Sequence, residues 1–449
     1  MADEAPRSLT RTTLRPMTSP LPWRDAALPP VAERFCRYAE VYTTSDPSAS
    51  AFPSTERQKD LSRLLVDELT TLGVEAEMDG WGYVFATLPS PLPSEQAAAL
   101  PVVALVAHVD TSPDAPGEHV RPQIHPNYDG SAVTFPADAS LVLDADRQPA
   151  LAAHVGHDLI TSDGTTLLGS DDKAGVAAIM QLAHDLVAAE ADAVARGERP
   201  APRPTLRLLF TPDEEIGKGT DELDLERLGA DIAYTLDGSG TDRLNVETFN
   251  AAEAVLTVEG VGVHPGYAKD VLVNAARVAA AFVDGLTDPA PETTDGREGY
   301  LHPHTITGTA EHATVRVLLR DFDDAGMEAK RARVRALANT VATRFPGATV
   351  DLAVTESYRN MRSYIEAVDP RAISVALDAG RAMGIDLELE PVRGGTDGAR
   401  LSEKGLPCPN VFTGGYDFHS RFEWNTVQNL ERTLAYTHAL VSRWGTEAG

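Results

Sequence analysis

Residues 205–219 read TLRLLFTPDEEIGKG, and this stretch decides the fold. Residues 205–211 are apolar enough for a strand buried inside a sheet rather than half exposed on one. The chain then turns and presents two adjacent acids, Glu214 and Glu215. Paired acids at a strand end can divide two tasks. One binds a metal ion; the other takes a proton from metal-activated water and passes it to a leaving amine. Read by itself, the string is equally a solvated acidic turn.

Working outward, three more apolar strands are expected at 101–107 (PVVALVA), 231–236 (DIAYTL) and 409–412 (PNVF), with helices at 173–190 and 428–443 among them. Apolar strands alternating with helices predict an α/β domain around a buried sheet. An earlier helix follows Ser54, because Leu61, Leu64, Leu65, Leu69 and Leu72 recur at helical spacing. Thr55 and Gln58 fit a capping box at its start, and Gly73 fits its stop. Residues 188–204 read as an exposed connection. The stretch 249–360 has another rhythm: strand 253–260, helix 270–285, strands 304–309 and 313–320, helix 325–344, strand 348–354. That βαββαβ order is ferredoxin-like. The expected organisation is therefore a poorly ordered N-terminal extension over 1–30, a discontinuous catalytic domain over 31–248 and 361–449, and an inserted lid domain over 249–360.

Bulk properties narrow the function. The 449 residues suit two domains, and 43% hydrophobic content suits a sizeable core. A net charge of −28, from 67 acidic and 39 basic residues, argues against nucleic acid or an anionic membrane as a partner. Two cysteines, Cys36 and Cys408, make no disulfide framework and fit a reducing compartment. With no apolar run of transmembrane length and no secretory pattern at the start, the cytoplasm is the expected location.

Four further strings carry chemistry. In AHVDTSPD (107–114), His108 and Asp110 lie two apart on an extended segment and point the same way, so Asp110 can orient His108 as a metal ligand. In LLGSDDKAG (167–175), two acids open a helix, where the dipole favours negative charge; Asp171 can give one oxygen to each of two cations. Asp237, in YTLDGSG, follows a strand and precedes a glycine turn. His419, in FTGGYDFHSRFEW, follows the last strand; Gly414 and Gly415 lack the spacing of a phosphate loop. Each string alone is also an ordinary cap or turn. Together they put His, Asp, Glu, Asp and His just beyond apolar strands, where ligands of open α/β sheets gather. One shared carboxylate, with one histidine and one terminal carboxylate per metal, makes nitrogen–oxygen sites that suit zinc.

These strings resemble the co-catalytic zinc exopeptidases, a family that also holds desuccinylases and aminoacylase-type deacylases. Within it the resemblance is to the peptidase T branch, the tripeptide aminopeptidases. It is carried in order by AHVDTSPD, TLLGSDDKAG, FTPDEEIGKG, VHPGYAKDVLVNA, LLRDFD, VRGGTDGARLS and GLPCPNVFTGGYDFH, from about Val31 to the C-terminus. The resemblance implies a zinc-exopeptidase catalytic domain with a mixed sheet flanked by helices, plus the inserted lid. It implies two zinc ions per chain, with cobalt or manganese as substitutes. His108 and Asp237 would hold one ion, Glu215 and His419 the other, and Asp171 would bridge them across a shared hydroxide. Glu214 would be the general base, and Asp110 would orient His108. The Asp171–Asp172 peptide would be cis. From the lid, His264 and Arg320 would face the substrate, helped by Arg393. The expected partners are short peptides and a second copy of the chain, paired through the lid. Dipeptidase, carboxypeptidase and N-acyl amino-acid deacylase activities are the alternatives within the same chemistry; a non-catalytic metal- or peptide-binding protein is the alternative outside it.

Overall fold

The computed structural model describes residues 20–447. An eight-stranded sheet runs in the order Glu388–Val392, Arg243–Thr248, Asn410–Phe412, Ile232–Gly238, Val103–His108, Leu206–Thr211, Val84–Leu88, Glu75–Met78. Its middle four strands, from Asn410–Phe412 to Leu206–Thr211, are mutually parallel. These are the four apolar runs of the sequence, and both faces of that quartet are covered, which is why they lack polar alternation. On one face lie helices Pro30–Ala39, Ser170–Ala195, Arg371–Ala382 and Val427–Trp444. Leu401, Leu406 and Cys408 join a smaller apolar layer on the other. The helix Ser170–Ala195 approaches the sheet so closely at Gly175 that a Cβ there would sit 2.0 Å from the Leu236 carbonyl oxygen. Only glycine permits that contact. Cys36 and Cys408 are buried and unpaired.

The chain leaves the large sheet after Thr248 and builds a second, antiparallel one in the order Tyr300–Gly308, His312–Asp321, Asn250–Glu259, Thr349–Tyr358. Helices Ala275–Asp284 and Asp324–Arg344 cover one face around their own apolar core. This is the ferredoxin-like arrangement expected of the inserted lid. A separate four-stranded sheet, Leu21–Pro22, Gln123–His125, Leu159–Thr161 and Trp424–Thr426, flanks the catalytic body.

Several local expectations change. Residues 1–19 of the expected extension lie outside the described residues. Residues 20–30 are not loose: Leu21 and Pro22 pair with Ile124 and Gln123, and the buried Trp23 donates its indole N–H to Glu40 at 2.8 Å. The exposed connection at 188–204 shrinks, because the helix continues to Ala195 and Arg203 is buried against Glu190. The capping box at Thr55 does not form. Thr55 Oγ1 donates to the Thr44 carbonyl at 2.9 Å, while the Gln58 amide is drawn to Asp213 Oδ1 at 2.6 Å. Gly73 does end that helix, at φ +80°. Among the described residues, no helix is long and apolar enough to cross a membrane.

Candidate active site

The carboxyl ends of the parallel strands deliver the site. His108 is the last residue of Val103–His108, Glu214 and Glu215 follow Leu206–Thr211, and Asp237 lies near the end of Ile232–Gly238. Asp171 sits in the first turn of the long helix, and His419 on the loop after Asn410–Phe412. His108 Nε2 lies 2.9 Å from Asp171 Oδ1 and 3.6 Å from Asp237 Oδ1. On the other side, His419 Nε2 lies 3.3 Å from Asp171 Oδ2 and 2.7 Å from Glu215 Oε2. Asp171 therefore stands between the two histidines, one oxygen toward each.

The neighbours of these groups fix them. His108 Nδ1 meets the Asp110 carbonyl at 3.1 Å and its carboxylate at 3.4 Å, so Nε2 is the nitrogen turned to the cluster. The same Asp110 carboxylate accepts the backbone N–H groups of Glu214 (3.1 Å) and Glu215 (3.2 Å), tying the two strand ends together. Glu214 Oε1 accepts the Asp397 N–H at 3.2 Å. Asp213, at φ +59°, is held by the Ser54 N–H and the Gln58 amide. The Asp171–Asp172 peptide is cis, as the resemblance implies.

Two groupings of donor atoms are close enough to hold a cation: His108 with Asp171 and Glu215, and His108 with Asp172 and Asp237. The second puts Asp172 where Asp171 was expected. Asp172 is already committed, since its oxygens accept the N–H groups of His108 (3.1 Å) and Gly175 (3.2 Å). Asp171 is the carboxylate that faces both imidazoles.

The electrostatics call for positive charge. Burial, reinforced by the nearby Asp171 carboxylate, pushes Asp237 up to about 7 and Glu215 up to about 8. Burial and the charge of Asp237 raise Glu214 well above the usual carboxylate range. Asp171 is held low against its own burial, because His108 and His419 donate to it. Hydrogen bonds to Asp171 and Glu215 lift His419 to about 11. One buried oxygen, Glu215 Oε1, has no hydrogen-bond partner among the described residues. An orphaned carboxylate oxygen in an acidic nitrogen–oxygen cluster is what a divalent cation would satisfy. The residues fit a metal centre.

The cluster opens into a cavity of about 350 Å³ walled by Asp171, Glu214, Glu215, Asp237 and His419 and by Tyr358, Thr396, Asp397 and Arg400. His108 and Asp110 are buried behind that wall, and the three residues expected to face the substrate are not on it either. His264 follows the end of Asn250–Glu259 farthest from the catalytic body, and its ring accepts the Gly266 N–H. Ten residues of strand carry the chain roughly 30 Å away, which explains why the site is out of its reach. Arg320 donates to the Ala252 and Leu319 carbonyls and stacks near Tyr358. Arg393 donates to the Gly296 and Glu298 carbonyls and to Thr294, pinning that loop of the lid. The arginine on the wall is Arg400, seven residues further along the same string. Asp397 was also passed over. It is buried, burial pushes it up to about 6, and it accepts the Thr211 hydroxyl at 2.7 Å. An acid within TDGA, so close to an arginine, was its only signal.

A parallel-centred α/β sheet with a histidine–carboxylate cluster at its carboxyl ends and an inserted ferredoxin-like lid defines the class of two-domain metallopeptidase folds. Residues 246–345 match a family described as a peptidase dimerisation domain. Peptidase T of Geobacillus kaustophilus is 40% identical over 400 residues, covering 89% of this chain and 94% of that one. Peptidase T of Staphylococcus carnosus is 43% identical over 403 residues, covering 90% and 95%. The chain belongs to the peptidase T family. Solved structures agree on the fold. The aminopeptidase PepT of Bacillus cereus superposes with a TM-score of 0.69 at 23% identity, over 92% of this chain and 98% of that one. A dinuclear metal-binding M20 peptidase of Bacillus subtilis superposes with a TM-score of 0.58 at 14% identity, over 92% and 96%.

Proposed function

We propose that this chain is a metallo-aminopeptidase that releases the N-terminal residue from short peptides, tripeptides by preference. The observation that carries the reading is the convergence of Asp171, Glu214, Glu215, Asp237 and His419 on one cavity, with the buried His108 set against Asp171 and Asp237. His108 and Asp237 would hold one zinc ion, Glu215 and His419 a second, with Asp171 common to both. When bound, such a pair acidifies a water and polarises the scissile carbonyl.

The chain's own groups do the rest. The Asp397 N–H fixes one oxygen of Glu214 and leaves the other to exchange a proton. Glu214 takes that proton from the attacking water as the carbon–oxygen bond forms. It returns the proton to the peptide nitrogen as the carbon–nitrogen bond breaks, releasing an amino acid and a dipeptide. Burial and the Asp237 charge favour the protonated state that Glu214 must reach between the two transfers. A cavity of about 350 Å³ is at the small end for ligand sites and limits peptide length.

A substrate panel tests the reading against its relatives. Free tripeptides are expected to be cleaved at the N-terminal residue, with activity lost on chelation and regained with zinc. N-acetylated tripeptides and N-acetyl amino acids are expected to be inert. Metal-dependent cleavage of the acylated compounds would move the enzyme to the deacylases.

We further propose a homodimer through the lid. Val261, Tyr267 and Val271 leave apolar surface around His264, with relative exposures of 43%, 78% and 51%. A symmetric pairing that covers it is the arrangement in which His264 serves the site of the other copy. H264A and E214Q chains, each slow alone, are then expected to regain about a quarter of wild-type activity when dissociated and mixed one to one, since half the dimers are mixed and each has one complete site. Activity no greater than the average of the separate variants excludes the shared site.

A further inference from the structure

Glu423 is buried, 1% exposed, and has no part in the chemistry above. Its Oε2 accepts the backbone N–H groups of Leu168 and Gly169, both at 2.8 Å, and its Oε1 accepts that of Asp171 at 3.0 Å. Two residues on, Asn425 Nδ2 donates to Ser170 Oγ at 2.9 Å. The short segment 423–425 thus grips four consecutive residues, 168–171.

That grip answers a local need. Helix Ser170–Ala195 begins after Gly169, which sits at φ +79° and has no side chain to cap it. The first N–H groups of a helix lack intrahelical acceptors, and the helix end carries partial positive charge. A carboxylate from elsewhere in the chain supplies both the acceptors and the charge. Residues 168–171 carry Asp171, whose carboxylate stands between His108 and His419. Glu423 is only four residues beyond His419, so one loop carries a candidate ligand and also holds the backbone of the candidate bridge.

We propose that Glu423 is a positioning residue of the metal centre: its carboxylate holds the amides of residues 168–171 and so fixes Asp171 between His108 and His419. The inference rests on the metal-centre reading above. It requires two acceptor oxygens. A glutamine at 423 keeps the size of the side chain but must turn its amide N–H₂ toward at least one backbone N–H.

The test is titration of the metal-free chain with cobalt(II), followed by visible absorption, for wild type, Glu423→Gln and Glu423→Asp. Glu423→Gln is expected to bind cobalt about 10–100-fold more weakly, the usual effect of losing a group that orients a ligand. Its absorption spectrum should change as the ligand field is altered. At saturating metal, kcat should fall with KM little changed. Glu423→Asp keeps the charge and both oxygens and is expected to recover part of the affinity. Wild-type affinity and spectrum in Glu423→Gln overturn the proposal, and so does failure of both variants to fold, which would place the role in the fold alone. No cobalt uptake by the wild-type chain sinks the metal-centre reading, and this inference with it. Equal uptake by wild type and Glu423→Gln sinks this inference alone.

Discussion

Replacing Glu214 by Gln is expected to lower kcat for tripeptide hydrolysis by about 10²–10⁴-fold while both metal equivalents remain bound. The substitution is nearly isosteric. A glutamine carbonyl oxygen still accepts the Asp397 N–H that Oε1 accepts now at 3.2 Å, so the loop has no reason to move. The Glu214 N–H still reaches Asp110. What disappears is a group that gains and loses a proton. KM should therefore change little, because binding does not need that proton. Metal analysis separates this role from a ligand role. If Glu214→Gln loses a metal equivalent, Glu214 is a ligand and the base must be sought elsewhere. If the variant keeps near-wild-type turnover, the assignment is wrong outright.

Much of this was legible in the sequence for a single physical reason. Strands buried on both faces are continuous apolar runs, so 101–107, 205–211, 231–236 and 409–412 announce themselves, and the residues just past them lie at the carboxyl edge of the sheet. His108, Glu214, Glu215, Asp237 and His419 each follow such a run, and the structure brings them together with Asp171. The residues that escaped depend on tertiary placement. Glu423 looks like any glutamate between two aromatics until its three amide partners, more than 250 positions away, are known. Asp172 reads as the twin of Asp171, and only the His108 and Gly175 amides show that its oxygens are taken. Arg320, Arg393 and His264 were placed at the substrate because their strings are distinctive. Whether a lid residue reaches the site, however, depends on the lid's direction and on assembly, neither of which is written in local pattern. Trp23 was misjudged for the converse reason: a short proline-bounded segment shows no periodicity, yet it docks by one strand pair and one indole hydrogen bond.

Asp171→Asn is expected to have the larger consequence: loss of metal and of measurable hydrolysis together. Asparagine keeps the shape but carries no charge and offers one acceptor oxygen where two face the imidazoles, at 2.9 Å from His108 and 3.3 Å from His419. Two cations that share one carboxylate both lose a ligand, so affinity for each should fall, and the other residues cannot substitute because their positions are fixed from behind. The metal-free protein offers an independent reading. His419 is lifted to about 11 first by Asp171 and then by Glu215. A raised folded-state value stabilises the fold fully below the unfolded histidine value of about 6.5 and loses that contribution as pH rises through the folded value. In Asp171→Asn the folded value drops, so this contribution is smaller and is exhausted at a lower pH, while its loss still begins near the unfolded value. NMR titration of the metal-free chains should show the His419 ring deprotonating at lower pH in the variant. If Asp171→Asn binds two metal equivalents as tightly as wild type, Asp171 is not the bridge, and Asp172, the alternative donor beside His108 and Asp237, takes its place.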